Sequence, residues 1–262
     1  MLAAERHSYI LEELNQRGVV RISNLAEVLA VSEMTIRRDL EQLGDLGLLI
    51  KVHGGATVKL ENNSITEPPF RTKSLRETVA KEAIAREAAA LVQPAASLAL
   101  MGGSTVFALA RHLINVPRLT VVTNSLPISD FFHREGRGDQ TVILAGGLRT
   151  PTDSFVGEIA VSVFDRLNID IAFTGTHGMD PRGGFSSPNI LEAETNRAVR
   201  ARAKSLVVLA DHTKWGEIAF STFAQLEDAD AIITDDALPI AAQQQLAGCT
   251  KQLVVARTEK AA

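Results

Sequence analysis

A single cysteine, Cys249, excludes an internal disulfide and a thiolate zinc cluster, and it reads as a small buried apolar residue. Positive charge is not in excess either. Lysine and arginine number 27 against 31 aspartates and glutamates, a net charge of -4, so a polyanionic partner needs a local site. No apolar run approaches the roughly 18 to 20 residues that span a bilayer, and Met1 to His7 lacks the basic-then-apolar order of a secretion signal. A cytoplasmic protein without a membrane partner is expected. None of the six histidines forms a His-x-x-x-His pair, so no metal is expected. The glycines complete neither a spaced dinucleotide fingerprint nor a P-loop, and no cofactor is expected.

What is present suffices for a packed core: 45% hydrophobic residues and a mean hydropathy of +0.07 over 262 residues. That length favours one large domain, or a small one joined to a larger one. Glu61 to Pro69 is polar and ends in two prolines, which lack amide donors and resist helix, so it reads as a linker. The expected organisation is a small domain over 1–58, a linker over 59–74 and a larger domain over 75–257. In the first, Ile10, Leu11 and Leu14 recur at helical spacing until Gly18, and Val19 to Ile22 is short and extended. Ser23 is placed to cap a second helix carrying Leu25, Ala26 and Leu29, and Ser32 to cap a third carrying Ile36, Leu40 and Leu43. Two short helices with a tight turn at Ala30 and Val31 predict a helix-turn-helix.

Beyond the linker a helix is expected over Glu77 to Leu91, followed by short apolar runs alternating with helical stretches. The runs are Ser97 to Met101, Leu119 to Thr123, Thr141 to Ala145, Ile169 to Thr174, Leu206 to Ala210, Ala231 to Thr234 and Gln252 to Ala256. Their brevity and aliphatic content suit buried parallel strands, with crossovers such as Val106 to Leu113 and Ile190 to Lys204, so the larger domain is expected to be α/β. Small or polar residues follow most strand ends. In open α/β sheets ligands bind at the carboxyl ends of strands, so these segments are expected to converge on one pocket.

If Ile36, Leu40 and Leu43 face inward on the third helix, Arg38 points outward with Met34 one turn earlier, flanked by Thr35 and Arg37. Such a face offers arginine to base edges or phosphates; the residues alone equally allow a solvated helix. Charge does not decide, since residues 1–60 hold seven lysines and arginines against eight acids. The stretch Val31-Ser32-Glu33-Met34-Thr35-Ile36-Arg37-Arg38-Asp39-Leu40, followed by Gly47 to Ala56 with His53-Gly54-Gly55-Ala56, resembles the DeoR family of bacterial transcriptional regulators. The resemblance implies a winged helix-turn-helix in which Ser32, Thr35, Arg37 and Arg38 belong to the recognition helix, with Met34 on the same DNA-binding face. It puts Lys51 and His53 in the wing, Lys51 standing where the family often has arginine.

The resemblance extends to about Ala256. Gly103-Ser104-Thr105, Thr123-Asn124-Ser125, Ala145-Gly146-Gly147, Phe155-Val156-Gly157, Glu192-Ala193 and Asp211-His212-Thr213-Lys214 are similar to the family's sensor domain. That domain resembles ribose-5-phosphate isomerase and coenzyme A transferases in fold, and its members typically bind phosphorylated sugars or related metabolites. The expected effector-binding residues are Gly103, Ser104, Thr105, Asn124, Ser125, Gly147, Glu192, Asp211 and Lys214 from these motifs, with Asp153 as a carboxylate for sugar hydroxyls and Gly175 at a strand end. Glycines and hydroxyls at a helix start suit an anion, though a plain strand-to-helix turn has the same composition. Where family members commonly have aspartate before the Gly-Ser-Thr region, this chain has Met101-Gly102. The expected protein is a homo-oligomeric regulator, a repressor of a carbohydrate-utilisation operon, whose partners are double-stranded operator DNA and a phosphorylated sugar. The competing expectation is an isomerase-like enzyme with an appended DNA-binding module, drawing on His177, Asp180, Glu192 and Lys214.

Overall fold

Ile10, Leu11 and Leu14 lie on one buried face of α1 (Ala3–Arg17), and what they pack against organises the N-terminal unit. The structure, a computed structural model, describes residues 3–17, 19–52, 54–57 and 70–258. Gly18, His53 and the expected linker Glu61 to Pro69 lie outside the described residues. After α1 come β1 (Val19–Arg21), α2 (Ile22–Val28), α3 (Glu33–Asp45), β2 (Ile50–Val52) and β3 (Gly55–Thr57). The strands form an antiparallel sheet in the order β1-β3-β2, a winged helix-turn-helix. Leu25, Ile36, Leu40, Leu43, Leu48 and Leu49 close over the α1 face. Each large aliphatic side chain withdrawn from water contributes about 1.5 to 3 kcal/mol.

Ala30, with a φ of 51°, reverses the chain between α2 and α3. The Ser32 hydroxyl then caps α3, accepting the Thr35 N–H at 3.2 Å. Ser23 does not cap α2. That helix starts at Ile22 with no side-chain cap, because the Ile22 N–H donates instead to the Gly54 carbonyl at 2.9 Å and the sheet sets the helix start.

The last residues of the expected linker form a short helix, α4 (Phe70–Ser74). Arg71–Arg76 pack with the N-terminal unit, whereas Phe70 and the residues from Glu77 onward make a second compact unit. That unit runs α5 (Thr78–Ala89), β4 (Ser97–Leu100), α6 (Ser104–Leu113), β5 (Thr120–Thr123), α7 (Leu126–Glu135) and β6 (Thr141–Leu144). It continues with β7 (Leu148–Arg149), β8 (Phe155–Val156), α8 (Glu158–Phe164), β9 (Ile169–Gly175), β10 (Gly178–Asp180), β11 (Gly184–Ser187) and α9 (Ile190–Arg202). β12 (Ala203–Leu209), β13 (Ser221–Ala224), β14 (Ala231–Asp235), α10 (Ile240–Cys249) and β15 (Leu253–Ala256) complete it.

All seven apolar runs pair in one parallel sheet, in the order β15-β14-β12-β9-β4-β5-β6. Its residues alternate between two cores. Leu98, Leu100, Val207 and Leu209 meet α5, α6 and α7, while Ala99, Leu206 and Val208 meet α8, α9 and α10. Burial on both faces is why these strands read as continuous apolar runs. None of the described helices is long and apolar enough to cross a membrane.

The β7–β8 hairpin and the small sheet β10-β11-β13 are not anticipated from the sequence, because strands of two to four residues carry too little alternation. Lys204, expected in a crossover helix, lies in β12, where its ammonium donates to Asp170 at 2.7 Å. Cys249 is exposed at the end of α10 and not buried, since only Ala242 and Leu246 of that helix face the core.

Lys204 together with the Ser97 amide and hydroxyl holds the Asp170 carboxyl at about 2, below the ordinary value of 3.8. A carboxyl depressed in the folded state adds stability above its ordinary pKa and loses it as pH falls through the folded one. Urea unfolding at pH 7, 4 and 2.5 therefore shows Asp170→Asn less stable than wild type at pH 7, with the difference closing between pH 4 and 2. A constant difference would remove Asp170 from the acid response.

Candidate functional site

The outward face of α3 is built by what its inward face must bury. Ile36, Leu40 and Leu43 take the core, which leaves Arg37 and Arg38 exposed and Met34 65% exposed beside them. Arg37 lies 3.6 Å from Glu33 one turn back, while Ser32 and Thr35 share a hydroxyl contact of 2.9 Å at the helix start. Lys51, on β2, is exposed. His53, the other expected wing residue, lies outside the described residues.

Asp39 is the residue on this helix that sequence reasoning missed, counting it only among the acids. It is buried, and Arg6 grips it in a fork, Nε to Oδ2 at 2.8 Å and a terminal nitrogen to Oδ1 at 3.0 Å, with His7 Nε2 at 3.0 Å. Burial pushes the Asp39 carboxyl up, but the hydrogen bonds from Arg6 and His7 outweigh it and leave the pKa lowered. The acid adjoining Arg38 is thus neutralised inside the fold, and α3 is pinned to α1.

In the larger unit the sheet order determines where polar groups gather. From β4 the chain proceeds to β5 and β6 on one side, and β9, β12, β14 and β15 lie on the other, so the order reverses between β4 and β9. A crevice opens at the carboxyl ends of strands at such a switch point. Gly102 to Thr105 follow β4 on one side of it, and Gly175 ends β9 on the other. Asp211 and Lys214 follow β12, Asn124 and Ser125 follow β5, and Gly147 follows β6.

Several of these groups serve the scaffold. Asn124 accepts the Gly102 N–H at 2.8 Å through Oδ1 and donates to the Phe155 carbonyl at 2.9 Å through Nδ2, clamping β4, β5 and β8. Ser125 caps α7. Asp153 sits in the β7–β8 loop in left-handed conformation and is bound by Arg149 at 2.7 and 3.0 Å. Glu192, in the first turn of α9, accepts from the Ser187 hydroxyl at 2.8 Å. Asp180 accepts the Arg182 and Gly183 amides, a turn-closing task and not a proton-transfer arrangement.

What remains suits an anion. Gly103 enters α6 with a φ of 152°, open to glycine, and the first-turn amides of a helix have no acceptor within it. Ser104 and Thr105 add hydroxyls there. Beside them Gly102 lacks a Cβ that would fall 2.0 Å from Ser154 Oγ, a buried hydroxyl with no partner among the described residues. Asp211 is 1% exposed, and burial alone would raise its carboxyl. Lys214, the Thr213 hydroxyl and Lys81 together leave it lowered instead. Lys81, 7% exposed on α5, is not distinguished by the sequence, since nothing local separates a lysine aimed inward from a solvated one. His212, between Asp211 and Lys214, is held by the buried Asp235 through its backbone N–H at 2.7 Å and Nδ1 at 2.8 Å. Among the described residues no group of three or more histidines, cysteines or carboxylates is placed to hold a metal.

Comparison with known proteins agrees along the chain. Residues 6–61 match the DeoR-like helix-turn-helix domain and residues 76–236 the DeoR C terminal sensor domain. The chain belongs to the DeoR family of transcriptional regulators. It is 36% identical over 260 residues to the uncharacterized HTH-type transcriptional regulator YgbI of Escherichia coli K12, covering 99% of this chain and 100% of that one. It is 31% identical to the glycerol-3-phosphate regulon repressor of the same organism, over 94% of this chain and 96% of the relative. Among solved structures, a ribose-5-phosphate isomerase bound to phospho-erythronic acid aligns at 18% identity and a TM-score of 0.40, over 53% and 54% of the two chains.

In this DeoR-family regulator Met101, where the resemblance leads to an expectation of aspartate, is buried with Met179, Phe185 and Ala193, so apolar packing occupies the position. In the helix-turn-helix domain of this regulator the Asp39 anchor ties α3 to α1. Asp39→Ala removes the carboxylate that Arg6 and His7 share and is expected to cost about 3 kcal/mol. Urea unfolding followed on the N-terminal unit checks this, and a loss under about 0.5 kcal/mol would show the clamp to be dispensable.

Proposed function

We propose that this regulator is an oligomeric repressor of a carbohydrate-utilisation operon, released from its operator by a phosphorylated sugar bound at the switch-point crevice. The observation that supports the reading is the order of the sheet, which sets helix-start amides and charged residues at the ends of neighbouring strands. The Gly102–Thr105 loop opens α6 on one side of the crevice, and Asp211, Lys214 and the buried Lys81 stand beyond β9. First-turn amides and a lysine ammonium are the chemistry that holds a phosphate, while carboxylates such as Asp211 accept sugar hydroxyls. The relative named for the glycerol-3-phosphate regulon supports a phosphorylated polyol or sugar.

On DNA, Arg38 and Met34 address base edges, and Ser32, Thr35, Arg37 and Lys51 the backbone, with His53 a further candidate. A symmetric oligomer places two recognition helices about one DNA turn or a multiple of it apart, so the operator carries paired half-sites.

Arg38→Ala weakens binding to a duplex selected by the full chain from a random pool, by about 1 to 3 kcal/mol, with sugar-phosphate affinity unaltered. Unchanged DNA affinity across a salt titration removes Arg38 from the interface. Lys214→Ala loses about tenfold or more in affinity for glycerol 3-phosphate or a hexose phosphate, ~1.5 kcal/mol, while DNA binding in the absence of sugar stays as in wild type. Calorimetry with phosphorylated and plain sugars decides, and equal affinity for the two would overturn the anion site.

A further inference from the structure

The chain leaves the larger unit at Phe70, for Phe70 packs with that unit and the next residues, Arg71–Arg76, pack with the DNA-binding unit. The Phe70 ring stands edge-on to Phe107 of α6, centroids 5.4 Å apart and planes at 83°. Phe107 stands edge-on in turn to Phe131 of α7, at 5.6 Å and 66°. Both helices that carry these rings begin at the crevice. α6 starts after Gly103, and the Phe107 N–H donates to the Gly103 carbonyl at 2.9 Å, so Phe107 closes the first helical turn on the glycine loop. α7 starts after Ser125, next to the Asn124 that binds the Gly102 amide. The chain returns at Glu77, in left-handed conformation at φ 50°, and the Glu77 carbonyl accepts the N–H of Lys81, whose charge acts on Asp211. Phe70 is therefore one ring contact and one helical turn from the glycine loop, and Glu77 one helical turn from Lys81.

We propose that Phe107 couples the crevice to DNA binding, passing a displacement of the first turn of α6 to Phe70 and so to the chain segment that enters the DNA-binding unit. A ligand alters an equilibrium only through contacts that differ between its two states. An anion drawn onto the amides after Gly103 makes such a contact, because the glycine N-cap lets the first turn shift without dragging β4. Edge-to-face rings transmit such a shift because their contact depends on ring position and angle and not only on buried area. The coupling rests on the crevice being the phosphate site; the ring contacts themselves do not.

The test uses the full chain and the duplex it selects from a random pool. Glycerol 3-phosphate, fructose 1-phosphate, fructose 6-phosphate and glucose 6-phosphate are titrated by calorimetry, and the tightest binder is carried into DNA-binding measurements on wild type, Phe107→Ala and Phe70→Leu. Wild type is expected to lose DNA affinity by about fivefold or more when the sugar phosphate is bound. Phe107→Ala is expected to bind the sugar phosphate and the free duplex each within about threefold of wild type, yet to lose DNA affinity less than about twofold on adding the sugar. Phe70→Leu approaches the same contact from the other ring and stands in if Phe107→Ala unfolds. Full wild-type coupling in the variants overturns this inference and leaves the crevice reading standing. A large loss of sugar-phosphate affinity in Phe107→Ala also overturns it, by making Phe107 part of the site. If none of the four compounds binds wild type, the crevice reading falls and the coupling with it.

Discussion

A parallel sheet buried on both faces constrains everything else in the larger unit. Every strand runs the same way, so every carboxyl end lies on one edge, and each connection must begin there. Small and polar residues are needed at that edge to turn the chain into helices, and those residues leave amides, hydroxyls and charges in a row. The reversal of strand order between β4 and β9 then parts the connection after β4, which leads into α6, from the connection after β9, and the β12 connection lies one strand further on. The crevice is thus a consequence of the topology, and side-chain chemistry only specialises it.

Scaffold and recognition draw on the same residue types at this edge. Asn124 and Ser125 spend their side chains on tying loops and capping a helix, and Glu192 is bound by Ser187. Asp211 keeps a lowered carboxyl in a buried setting because two lysines and a hydroxyl act on it. A buried carboxylate is costly without counter-charges, so the lysines and the hydroxyl keep Asp211 in place.

The DNA-binding unit solves a different electrostatic problem. With eight acids against seven bases in residues 1–60, its approach to a polyanion depends on where those charges point. Burying Asp39 against Arg6 and His7 takes one acid out of the recognition face and fixes the rotation of α3 about its axis, so that Arg38 and Met34 remain outward. Ion pairing here orients a helix as much as it stabilises one.

The helix-turn-helix was legible because its evidence is local, Ser32 capping the helix it precedes and Ile36, Leu40 and Leu43 repeating at helical spacing, whereas the wing followed only from the family resemblance. The seven sheet strands were legible for a related reason, since burial on both faces writes an unbroken apolar run into each. Short strands such as β7, β8 and β10 were not, because their pairing partners supply the order that two or three residues cannot encode. Ser23 illustrates the same competition, its capping role displaced by a hydrogen bond from Ile22 to Gly54, 32 residues away in sequence. The partners of Asp39, Lys81 and Asp235, and the ring contact between Phe70 and Phe107, belong wholly to tertiary structure. A charge or ring in a sequence has no sign of direction, and only the packing of distant elements decides whether it meets water, a counter-charge or another ring.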